Sequence, residues 1–114
     1  MRNFKELKIW QNGIEIAIKT YRVTATFPEE DKYAIVQQMN KAGVSIPSNI
    51  AEGSSRKSEK DYSRFIEIAL DSTFELETQI VIAEQLKKGN TIITGFKNCL
   101  TRRTENAHRI SKRT

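Results

Sequence analysis

The chain has 114 residues, 38% of them apolar and 29% charged, with a formal net charge of +5 and one cysteine. That length suits a single domain, residues 1–114, able to bury roughly two thirds of the surface of its unfolded chain, and the lone Cys99 excludes an intramolecular disulfide. The longest apolar run falls far short of a membrane span and MRNFKELK resembles no signal peptide, so a cytoplasmic location is expected.

Four segments carry helical periodicity and almost nothing reads as strand. Phe4, Leu7, Trp10, Ile14, Ala17, Ile18 and Tyr21 recur on one face of a first helix, which must stop before Phe27-Pro28 because the residue preceding a proline avoids helical geometry. The second helix is expected from Asp31 to about Ala51. Its core face would be Val36, Met39, Gly43, Ile46 and Ile50, and Glu29, Glu30 and Asp31 would sit at its positive end. Pro47 falls inside this pattern, where it removes one backbone hydrogen bond at a cost of roughly 3 kcal/mol unless its neighbours compensate. Gly43 offers no side chain to obstruct a bend, and Ser45, Ser48 and Asn49 carry short polar groups able to satisfy a freed carbonyl.

Gly53-Ser54-Ser55 reads as the stop after this helix, and Ser58-x-x-Asp61 as a capping start for the third. Tyr62, Ile66, Ala69, Thr73, Leu76, Ile80 and Ala83 follow alternating steps of four and three, the spacing of a knobs-into-holes seam. Phe65, Ile68, Phe74 and Ile82 fall outside it, which is more apolar surface than one core stripe requires. Lys87-Lys88-Gly89-Asn90 marks the third turn, and Ile92, Ile93, Phe96, Cys99, Leu100, Ala107 and Ile110 the fourth helix. Short links between amphipathic helices predict an all-α, antiparallel up-down-up-down four-helix bundle with a proline-bent second helix. Trp10 and the tyrosines lie on expected core faces.

Charge is segregated along the chain. Residues 1–86 hold eleven Lys and Arg against thirteen Asp and Glu, whereas residues 87–114 hold eight against one. At 100° per residue, Arg102, Asn106, Arg109 and Arg113 share a face of the last helix, with Lys112 and His108 flanking it. Such a stripe neutralises phosphates without reading sequence. Lys97, Arg102, Arg109, Lys112 and Arg113 are the candidate nucleic-acid contacts, while Arg103 points into the apolar stripe and is expected to snorkel or pair with a carboxylate. The bland alternative is a solvated basic terminus that complements the helix dipole.

Four blocks carry a family resemblance: FKELKIWQ from Phe4, FPEEDKY from Phe27, QQMNKAGVSIPSNIAEGSSR from Gln37 and SEKDYSRFIEIALDSTFELETQI from Ser58. In order and spacing the chain resembles the small bacterial four-helix bundle proteins encoded in intervening sequences of 23S ribosomal RNA genes, which are similar to the accessory variability determinants of diversity-generating retroelements. The resemblance covers residues 4 to about 86. Departures are Asn40 and Lys41, where the family usually has two arginines, and Asp71 in place of a glycine. The resemblance implies a barrel-like homopentamer, and for the retroelement relatives a reverse transcriptase as protein partner.

Asn49, Glu52, Gly53 and Arg56 recur at helical spacing beside Pro47, with Glu75 and Glu77 as expected partners from the third helix; this cluster reads as a structural motif that sets bend and register. Nothing beside these carboxylates looks like a nucleophile paired with a base. Glu105-x-x-His108 has the spacing of a di-iron ligand pair, but His108 is the only histidine, so no metal and no cofactor is expected. The residues together with the resemblance predict a non-enzymatic oligomeric accessory protein that binds RNA or DNA backbone. A protein-interaction scaffold without nucleic acid is the alternative.

Overall fold

The computed structural model describes residues 2–90 and 92–113, the side chains of residues 104–113 excepted. A 3-10 turn at Phe4–Glu6 precedes four helices: α1 (Lys8–Thr24), α2 (Ile35–Ser54), α3 (Glu59–Gln85) and α4 (Ile92–Arg113). Among the described residues there is no strand. Cross-helix contacts fix the directions. Thr24 of α1 meets Asn40 of α2, Ser45 of α2 meets Ser72 of α3, and Glu84 and Glu77 of α3 meet Lys97 and Thr101 of α4. Arg103 closes the circuit on Glu15 of α1. Each pair runs in opposite chain order, which is the expected up-down-up-down bundle. The α2 helix packs extensively on α1 and α3, and α4 more sparsely on α3 and α1.

The centre is built from every helix. Val23, Met39, Leu76, Ile80 and Leu100 are essentially inaccessible, and Ile16, Phe27, Ala42, Ile46, Ile50, Ala69, Ala83, Ile93 and Phe96 complete the cluster. Burying each large aliphatic contributes about 1.5–3 kcal/mol of transfer free energy. The α3 seam lies as its four-three spacing dictates, with Ala69, Thr73, Leu76, Ile80 and Ala83 buried. Ser58 caps α3, its hydroxyl accepting from the Asp61 N–H at 3.1 Å.

The inward face of α1 differs from the one expected. Gly13, Ile16, Thr20, Val23 and Thr24 are buried, whereas Ile18 and Tyr21 are about half exposed. The reason is close approach. A Cβ on Gly43 would stand 3.0 Å from Thr20 Oγ1, and one on Gly13 would stand 3.3 Å from Pro47, so small residues let α1 and α2 nearly touch. Thr20 enters the interior because its hydroxyl donates to the Ile16 carbonyl at 2.7 Å, leaving no buried donor unsatisfied. The isoleucines on the opposite side are left facing outward. Tyr33 is also exposed and Tyr62 only half-buried, which corrects the assignment of the tyrosines to the core, whereas Trp10, half-buried and edge-on to Phe4, packs against the core as expected.

Two boundaries also move. Glu29–Asp31 forms its own 3-10 turn, and α2 starts only at Ile35, because Ala34 leaves helical geometry at φ −119° and ψ −110°. Asp31 instead pairs with Lys88 at 3.2 Å, tying this turn to the one after α3. Gly53 and Ser54 belong to α2 rather than to the turn, which begins at Ser55. The α3–α4 turn carries Lys87 at φ 58° and Gly89 at φ 73°, with the Lys88 N–H donating back to the Ala83 carbonyl at 2.9 Å. Glycine is required at position 89: besides the left-handed backbone, a Cβ there would lie 2.7 Å from Thr26 Oγ1 and 2.8 Å from the Phe27 ring.

Candidate nucleic-acid interface and the proline segment

The α2 helix continues unbroken through Pro47, which is buried with its ring against Gly13 of α1. Its polar neighbours act across helices as well as locally. Asn49 Nδ2 donates to the Ser45 carbonyl at 2.8 Å and to Ser45 Oγ at 2.9 Å, and Ser45 Oγ lies 2.8 Å from Ser72 Oγ on α3. Just past the end of α2, Arg56 reaches back to Glu52 at 3.2 Å and lays its guanidinium over the Phe65 ring at 4.8 Å. Gly53 is buried beneath Phe65 and Tyr62.

Glu75 and Glu77 do not join this group. With Ser45 opposite Ser72, antiparallel pairing carries Glu75 away from Asn49 and Arg56. Glu75 accepts from Gln79 of its own helix, and Glu77 turns to Thr101 of α4. Asn49 thus braces Ser45, which meets Ser72 of α3, while Gly53 and Arg56 meet Phe65 of α3 at the end of α2, and the Glu52 carboxylate is exposed and already paired.

On α4 the five candidate phosphate contacts separate. Lys97 is three-quarters buried and its ammonium lies 2.6 Å from Glu84, which also accepts from Thr94 at 2.8 Å. It serves as a clasp between α3 and α4, a role that only the register of the two helices reveals. Arg102 is exposed and makes no ion pair with a described residue. Arg109, Lys112 and Arg113 have side chains outside the described residues, as do Glu105 and His108. Arg103 pairs with Glu15 at 3.0 Å and donates to the Asn12 carbonyl at 3.3 Å, as its direction within the stripe predicts.

These clasps carry a pH signature. Hydrogen bonds from Lys97, then Thr94, hold the Glu84 carboxyl below its ordinary range, and the hydrogen bond and charge of Arg103 do the same for Glu15. A carboxyl depressed in the folded state contributes stability above its unfolded pKa, about 4.3, and that stability is lost as pH falls through the folded value. Acid titration followed by circular dichroism is expected to show a stability decline beginning near pH 4–5 in the native chain. Glu84→Gln should lower stability at neutral pH and flatten that acid limb. A limb unchanged in slope would remove the clasp.

Among the described residues no helix is long and apolar enough to cross a membrane, and no group of three or more His, Cys, Asp or Glu could hold a metal ion. Cys99 is half-buried and unpaired by disulfide.

Comparison with known proteins gives a consistent result. A family model described as "23S rRNA-intervening sequence protein" matches residues 5–109. A crystal structure of a protein of unknown function from the S23 ribosomal protein family of Bacteroides thetaiotaomicron superposes with a TM-score of 0.76 at 21% identity, over 91% of this chain and 95% of that one. At that identity the likeness speaks for the fold. No curated protein matches the chain.

Proposed function

This chain belongs to the 23S rRNA-intervening sequence protein family, and from that premise we propose that it is a non-enzymatic, self-associating accessory protein that holds nucleic-acid backbone against basic surfaces of an oligomer. The observation that carries the reading is the outer face of α3. Ile68, Phe74, Val81 and Ile82 are each about 40–50% exposed there, and Ile18 and Tyr21 project from α1. A helix exposing this much apolar area along its length fits burial against a partner. A ring of sister chains, five as the resemblance implies, would repeat the basic α4 helix around one particle and add avidity through effective concentration.

A second reading, a protein-docking scaffold without nucleic acid, is favoured by a different feature. The sparse α1–α4 contact leaves an open cleft of about 350 Å³ lined by Val23, Ile92 and Phe96, with Lys19 and Arg22 at its rim. Gly95 borders it, and a Cβ there would meet nothing within 4 Å.

Light scattering at micromolar concentration tests the assembly: an oligomer is expected for the native chain, and a monomer for Phe74→Glu combined with Ile82→Glu. A native monomer would overturn it. Titration of labelled structured RNA at two salt concentrations tests the ligand. Binding that weakens steeply with salt and is lost when Arg102, Arg109 and Arg113 are changed together to Glu supports the nucleic-acid reading, and no binding at low salt supports the scaffold.

A further inference from the structure

The bundle topology gathers basic residues that are far apart in the chain. The N-terminal segment, the α2–α3 turn and the first turns of α3 meet at one pole, where the Arg2 N–H donates to the Ser54 carbonyl. Residues 2–8 and 52–64 together hold seven Lys and Arg, against the four acids Glu6, Glu52, Glu59 and Asp61. The α4 helix runs toward the same pole, since it descends α3 from Glu84 to Glu77 and reaches Asn12 and Glu15 of α1 at Arg103.

Two of these cations are held in place by aromatic rings. Arg2 lies 3.6 Å from the Tyr62 ring centroid and pairs with Glu59, and Arg56 covers Phe65 while pairing with Glu52. Stacking fixes the guanidinium plane while leaving outward N–H donors. Arg2, Ser55, Arg56, Lys57 and Glu59 line an open cleft of about 540 Å³. Lys57, Lys60 and Arg64 beside it are exposed and make no ion pair with a described residue. The opposite pole contrasts with this: Lys32 pairs with Glu29, Lys88 with Glu30 and Asp31, and Lys97 with Glu84. These three cations are already neutralised.

We infer that the pole formed by the N-terminal segment, the α2–α3 turn and the start of α3 is a seat for a nucleic-acid phosphate backbone, with Lys57, Lys60 and Arg64 as solvent-facing contacts and Arg2 and Arg56 as ring-anchored ones. This rests on the nucleic-acid reading but assigns the contact to a surface outside the C-terminal helix. A shallow basic surface spread over three segments matches successive phosphates on a strand better than one enclosed anion. The positive end of the α3 dipole at Ser58 adds to the same field.

The test is a charge reversal at exposed positions, Lys57→Glu, Lys60→Glu and Arg64→Glu together. Thermal unfolding should show the fold retained, and Gln at the same three positions gives a neutral variant. Titration with labelled structured RNA, and with a DNA duplex to separate the two sources of backbone, is expected to show affinity falling at least tenfold for the Glu variant. The Gln variant should fall less, with a log K against log salt slope reduced by about three. Native-like binding by the Glu variant, with binding lost on reversal of Arg102, Arg109 and Arg113, would overturn this seat and leave the C-terminal reading standing. No binding by the native chain overturns both.

Discussion

Leu76→Ala is expected to lower the free energy of unfolding by about 3–5 kcal/mol. Leu76 is wholly inaccessible, in a cluster to which all four helices contribute. Truncation there loses the transfer free energy of the removed carbons. It also leaves a cavity that cannot collapse cheaply, because Ile80 and Met39 of the same cluster are themselves fully enclosed. A domain of this size has about 5–15 kcal/mol of stability in all, so the change removes a large fraction of it and should lower the midpoint by 10 °C or more, by about 4 °C for each kcal/mol. Urea denaturation with an unchanged m-value is the measurement. A loss below about 1 kcal/mol would mean that α3 does not present this face to the centre.

Gly53→Ala should destabilise by about 2 kcal/mol, although alanine is the better helix former by about 1 kcal/mol. A Cβ on Gly53 would lie 2.6 Å from the Phe65 Cβ. That atom is tied directly to the α3 backbone and cannot swing aside, so the helices must separate and the ring must shift beneath Arg56. Gly95→Ala is the matching control, because the same methyl meets nothing within 4 Å there. It should raise stability by about 1 kcal/mol through helix propensity alone. Thermal unfolding of the two variants side by side checks both signs; a stabilised Gly53→Ala would mean that α2 and α3 do not approach so closely at this turn.

Helix number, order and the α3 seam were legible because they depend on residues three and four apart in the chain. Ala69, Thr73, Leu76, Ile80 and Ala83 repeat on one side of a helix whatever surrounds it, and Ser58 caps from three residues away. The apolar excess at Ile68, Phe74 and Ile82 was readable on the same basis. The face of α1 was not, since hydrophobicity alone favours Ile14, Ile18 and Tyr21. The chosen side is the one where Gly13 and Thr20 permit contact with Pro47 and Gly43, a property of two helices together.

The candidate site divides in the same way. Composition along the chain located the positive C-terminal quarter, and the direction of Arg103 within its helix announced a structural pairing. Which lysines have their charge neutralised follows from antiparallel register: Lys97 falls opposite Glu84, and Lys88 falls beside Asp31. Periodicity and local charge were set by the chain itself because they are short-range quantities. Pairing, the outward face of α1 and the gathering of Arg2, Arg56, Lys57, Lys60 and Arg64 at one pole join residues on different segments, from 13 positions apart for Lys97 and Glu84 to 88 for Arg103 and Glu15, and only the packed bundle brings them together.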